Sequence, residues 1–194
     1  MLSLLIFLFS GLSCGIFANL IKNDSERVKD IVHTNFENPN ISSKIHYVSD
    51  FMVFLQVTSI VIIARKETIS EILLIMGICQ IFRLACFTTT ILPPLKKYEE
   101  KFRFGGVNGS GTEYIFSGHA SWAAVSFAYL YIVGSISFFN LFWYNVISQF
   151  LITYTRNHYT VDVILGWIIT LLIFGNVRLC ILYEPCFTNI SKVL

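Results

Sequence analysis

The stretch YTVDVILGWIITLLIFGNVRLCIL, from Tyr159 to Leu182, sets the architecture: it is almost wholly apolar over a length that matches the hydrocarbon core of a bilayer. About 20 such residues cross that core as a helix, which satisfies its own backbone polar groups where no water is present. Reading back toward the amino terminus, comparable runs cover Ile136 to Tyr154, Tyr114 to Val133, Thr68 to Leu92, Val48 to Ala64 and Met1 to Ile21. Composition agrees, because 55% hydrophobic, 15% aromatic and 13% charged residues fall outside the range of a soluble domain. The expected fold is all-α: a polytopic membrane protein in which residues 1–194 form a single domain of six transmembrane helices.

The breaks between the runs are polar. The longest, residues 22–47, is rich in Asn, Asp, Ser and Lys and is expected to be a loop. Arg65-Lys66-Glu67 makes the next turn, and Pro93-Pro94 stops the third helix. A glycine-rich connection over residues 95–113 follows, then a turn near Gly134-Ser135 and a short break at Thr155-Arg156-Asn157. The first run lacks a basic leader and is long for a signal peptide, so it reads as a retained helix. The five cysteines show no zinc-ligand or redox spacing and read as small buried hydrophobes. A net charge of +2 without a basic arm argues against nucleic acid as a partner.

Counting crossings puts the loops after the first, third and fifth helices on one face. His119 opens the fourth helix and His158 the sixth, so both belong to that face although they are far apart in sequence. Ionisable groups at membrane depth are costly and are functional candidates by default; Arg83, His119, His158 and Asp162 qualify. His158 and Asp162 are four apart at a helix start, where the carboxylate can hydrogen-bond the imidazole and orient it. Ser117-Gly118 before His119 permits close approach of a ligand at a helix start. With Arg156 added, two arginines and two histidines on one face suit a phosphate diester.

Tyr114-Ile115-Phe116-Ser117-Gly118-His119 and Arg156-Asn157-His158-Tyr159-Thr160-Val161-Asp162-Val163 resemble the two signature motifs of the sphingomyelin synthases, a branch of the lipid phosphatase superfamily. Arg83 with Pro93-Pro94, and the six-helix plan, extend the likeness over most of the chain. Phe116 and Ile152 stand where the phosphatase branch carries a proline and an arginine, which favours the synthase branch. The resemblance implies transfer of a phosphorylated headgroup from a phospholipid donor to ceramide, without metal or other cofactor. It makes His158 the nucleophile, Asp162 its orienting partner, His119 the acid and base, and Arg83 and Arg156 the phosphate ligands. A lipid phosphatase or phospholipase C-like hydrolase is the alternative within the enzymes, and a transporter or scaffold the alternative outside them.

Glu113, six residues before His119, occupies the position where the resembled motif is acidic, and the resemblance ties glutamate there to a phosphoethanolamine headgroup and aspartate to phosphocholine. Orientation is contested within the sequence. Nine Lys and Arg residues fall in the loops of the histidine face, which the positive-inside rule turns to the cytoplasm. The resemblance, with glycosylation triplets at Asn23, Asn40 and Asn108 on that face, implies a lumenal or exoplasmic site in the Golgi, endoplasmic reticulum or plasma membrane.

Overall fold

A computed structural model describes residues 2–20, 30–36, 43–89, 115–155 and 158–182. All regular structure among them is helical: α1 (Leu2–Leu20), α2 (Ile31–Asn35), α3 (Ser43–Ile63), α4 (Lys66–Thr89), α5 (Gly118–Ile132), α6 (Phe138–Tyr154) and α7 (Thr160–Leu182). The six long helices correspond to the six apolar runs, with shifted ends. The expected loop over residues 22–47 contains the short α2, capped by the Asp30 carboxylate, and its last residues already belong to α3. The fourth run starts its helix at Gly118 rather than at Tyr114, because the Ser117 hydroxyl accepts the Ala120 N–H and so caps the helix there. The proline stop lies outside the described residues.

Helices α5 and α7 form the central pair, with α3 and α6 packed on one side and α4 on the other. Close approach at the centre follows from small side chains: Ala120, Ser121, Ala123 and Ala124 of α5 are all buried. α1 lies against α4, where Gly77 leaves room for it. A Cβ on Gly77 would stand 2.8 Å from Ile6 Cγ2 and 3.1 Å from the Phe7 backbone nitrogen.

The polarity of the bundle is inverted relative to a water-soluble protein. Phe9 is 76% exposed, Ile62 78% and Phe139 67%, whereas Ser49, Ser126, Ser148 and Thr170 are fully buried. An apolar outer surface of this extent calls for an apolar surrounding. By length and composition, the segments Lys66–Cys86 and Thr160–Leu179 are each able to cross a membrane. The expected six crossings thus narrow to two clear candidate spans among the described residues. Part of the reason is helix length: α5, at 15 residues, falls short of the roughly 20 that a hydrocarbon core requires.

Candidate active site

Two helix starts meet at one end of the central pair. The Ser117 cap places His119 in the first turn of α5, and α7 begins just after His158. In that first turn, the Tyr159 N–H donates to Asp162 Oδ2 at 3.0 Å, so an acidic side chain reaches back to satisfy an N–H that the helix itself leaves open. The starts are joined directly, since the Ser117 N–H donates to the Asp162 carbonyl oxygen at 3.0 Å. Gly166 makes that junction sterically feasible. A Cβ there would lie 2.8 Å from Ala120 Cβ and 3.0 Å from the Ser117 carbonyl oxygen.

The junction brings the two histidine rings to a centroid separation of 5.8 Å. Arg83 of α4 reaches the same place: a Cβ on Gly118 would lie 3.3 Å from Arg83 Nη1, so the absent side chain lets the guanidinium lie against the start of α5. His119 and His158 differ in access. The His119 side chain is 31% exposed, and that of His158 is 8% exposed over an Asp162 side chain with no exposure at all.

One expected contact takes a different form. His158 Nδ1 stands 3.9 Å from Asp162 Oδ2, too far for a hydrogen bond, because that oxygen is turned to the Tyr159 N–H. Asp162 therefore faces the imidazole while capping the helix. Arg156 and Glu113 lie outside the described residues.

Two carboxylates missed by sequence reasoning complete the cluster. Asp50 Oδ1 of α3 stands 3.3 Å from His119 Nε2. Its signal was present, an acidic residue near the start of an apolar run, but no sequence spacing links it to His119. Asp30 accepts the Thr160 N–H at 2.6 Å and the Thr160 hydroxyl at 2.9 Å, across a separation visible only in three dimensions.

Burial holds the His158 imidazole well below its usual value of 6.5, and the nearby His119 and Arg83 push in the same direction. At neutral pH the ring is uncharged, the form that can attack an electrophile. The same shift bears on stability. Between the two pKa values the folded chain binds fewer protons than the unfolded one, so His158 stability is present above 6.5 and is lost as pH falls through the folded-state value. Thermal unfolding in lipid nanodiscs from about pH 7.5 down to about pH 5 should show that decline, and His158→Gln should make it shallower. A decline of equal slope in the variant would contradict the assignment.

Residues 111–179 match the PAP2 superfamily C-terminal family. The matched segment contains α5, α6, both histidines and Asp162, and amounts to less than half of the chain. It supports the type 2 phosphatidic-acid phosphatase superfamily, and with it membrane association and lipid phosphatase-like or phosphotransferase chemistry. No curated protein and no solved structure matches the chain.

Proposed function

We propose that the chain is a sphingolipid synthase that transfers phosphoethanolamine or phosphocholine from a glycerophospholipid to ceramide and releases diacylglycerol. The observation that carries the reading is the pairing of His119 and His158, at the starts of two different helices, beside the half-buried Arg83. In the first half-reaction, His158 Nε2 attacks phosphorus as the bond to the diacylglycerol oxygen breaks, and His119 gives that oxygen its proton. Nε2 is the attacking atom because Nδ1 faces Asp162. In the second half, His119 takes the proton of the ceramide hydroxyl, whose oxygen attacks phosphorus and displaces His158. Asp50 Oδ1, 3.3 Å from His119 Nε2, can hold the orientation of that ring. Arg83 and Arg156 neutralise the charge that builds on the phosphoryl oxygens.

In this reading the six long helices all cross the bilayer as one catalytic domain, and the histidine end faces the lumen or cell exterior. Phe116 and Ile152 favour transfer over hydrolysis, since they stand where the phosphatase branch of the resembled superfamily carries proline and arginine. The test is product analysis on purified protein given equal amounts of phosphatidylethanolamine and phosphatidylcholine, with and without ceramide. Headgroup-bearing ceramide and diacylglycerol are expected in step with each other. Release of free phosphorylated headgroup regardless of ceramide would instead establish a hydrolase.

The same assay addresses Glu113. A glutamate reaches one methylene further than aspartate and leaves less room for a trimethylated ammonium, while a primary ammonium offers hydrogen-bond donors to it. Phosphatidylethanolamine is therefore the expected preferred donor, with the ratio moving toward phosphatidylcholine in Glu113→Asp. An unchanged ratio would remove Glu113 from headgroup choice.

A further inference from the structure

α7 starts without a cap of its own on the residue that precedes it. Tyr159 holds the N-cap position, and its side chain cannot accept the N–H groups of the first turn as a Ser, Thr, Asp or Asn would. One of those groups is satisfied from elsewhere in the chain. Asp30, only 8% exposed, takes the Thr160 N–H on Oδ2 and the Thr160 hydroxyl on Oδ1, and Oδ1 also accepts the Val32 and His33 N–H groups. A single carboxylate thus caps α2 and the start of α7 together. Burial by itself pushes the Asp30 carboxyl up, but the donors from Thr160 and His33 outweigh it and hold the group below its usual value, so it is ionised at neutral pH.

The rest of the segment grips the other side of the same corner. The His33 ring lies 5.8 Å from the Tyr159 ring, and its Nε2–H donates to the Thr153 carbonyl oxygen at 2.9 Å, near the end of α6. Phe36 packs edge-on against Phe150, with ring centroids 5.5 Å apart. The turn that carries His158 is therefore held at the end of α6 and at the start of α7 by one seven-residue segment, Asp30 to Phe36.

We infer that Asp30 is a positioning residue for His158: by capping α7 from the first loop, it holds the imidazole where it can attack phosphorus. The inference rests on the nucleophilic role proposed for His158. His158 immediately precedes the N-cap, so the direction of its backbone is set by the residues that Asp30 anchors. Without the anchor, the first turn of α7 opens and the ring leaves its place opposite His119. A displacement of about 1 Å is sufficient to slow a positioned reaction by about 100-fold.

The experiment compares the purified full chain in lipid nanodiscs with Asp30→Ala, Asp30→Asn and Thr160→Val. Two readouts are taken: amide hydrogen exchange over residues 159–163, and kcat and KM for phosphatidylethanolamine with ceramide. Asp30→Ala is expected to lose exchange protection at the start of α7 and about 100-fold in kcat, with KM changed by less than about twofold. Asp30→Asn keeps one oxygen able to accept the Thr160 N–H and should recover about tenfold of that loss. Thr160→Val, which removes the hydroxyl bond and leaves the N–H, should fall between wild type and Asp30→Ala, and it decides the matter if Asp30→Ala does not fold. Unchanged exchange in folded Asp30 variants overturns the inference, as does lost protection with wild-type kcat. A wild-type chain that makes neither product nor phosphohistidine sinks the transferase reading alone, and the exchange readout still decides whether Asp30 holds α7.

Discussion

Purified His158→Ala is expected to lose turnover by on the order of 10⁴-fold or more, because under the proposed mechanism the variant lacks the atom that the headgroup bonds to. Labelled phosphoethanolamine donor should leave no acid-labile phosphohistidine on the chain. The variant should still elute as the wild type does and keep its helical content, since backbone and carboxylate contacts other than those of the imidazole hold the corner that carries His158. Wild-type turnover in folded His158→Ala would end the proposed mechanism. Asp162→Asn is a less clean probe, because the Asp162 side chain also caps α7.

The second large effect is expected at Gly166, away from any reacting group. Alanine there would bring its Cβ to 2.8 Å from Ala120 Cβ and 3.0 Å from the Ser117 carbonyl oxygen, and neither is the loose end of a flexible side chain. α5 and α7 would have to separate. Overpacking of this kind destabilises by about 1–3 kcal/mol, and here it also moves the two histidines apart. Gly166→Ala is therefore expected to lower both the unfolding temperature and kcat. Ala120→Gly in the same chain should restore part of each, since it removes the shorter contact and leaves the one to Ser117. Full wild-type stability in Gly166→Ala would mean that the helix pair is not closely packed there.

The helices were legible because apolar run length reports directly on what a bilayer will accommodate, and the meeting of His119 with His158 was expected from six crossings, of which two are clear candidate spans among the described residues. The limits of that reasoning are equally specific. Run length overestimated α5, because apolarity continues through Tyr114 to Phe116 while the helix waits for the Ser117 cap. The spacing of His158 and Asp162 correctly put them on one face, but spacing does not say which donor wins a carboxylate, and the Tyr159 N–H took it. Asp30 and Asp50 stayed hidden for another reason. Each meets its partner through the packing of helices distant in sequence, and nothing periodic in the chain encodes such a meeting.

The unequal access of the two histidines has a kinetic consequence for the proposed reaction. The His119 and Asp50 side chains are 31% and 47% exposed, so with the histidine end at a membrane face, as proposed, protons can exchange there with water. His158, at 8%, is buried beside them. A phosphoryl group carried on His158, as proposed, would be largely sheltered by protein, so its lifetime would depend on which hydroxyl reaches it as well as on the intrinsic lability of the phosphorus–nitrogen bond. The partition between water and a lipid alcohol then becomes a matter of local concentration: a bilayer rich in acceptor keeps the intermediate short-lived, and a bilayer depleted of it leaves the headgroup waiting on the enzyme.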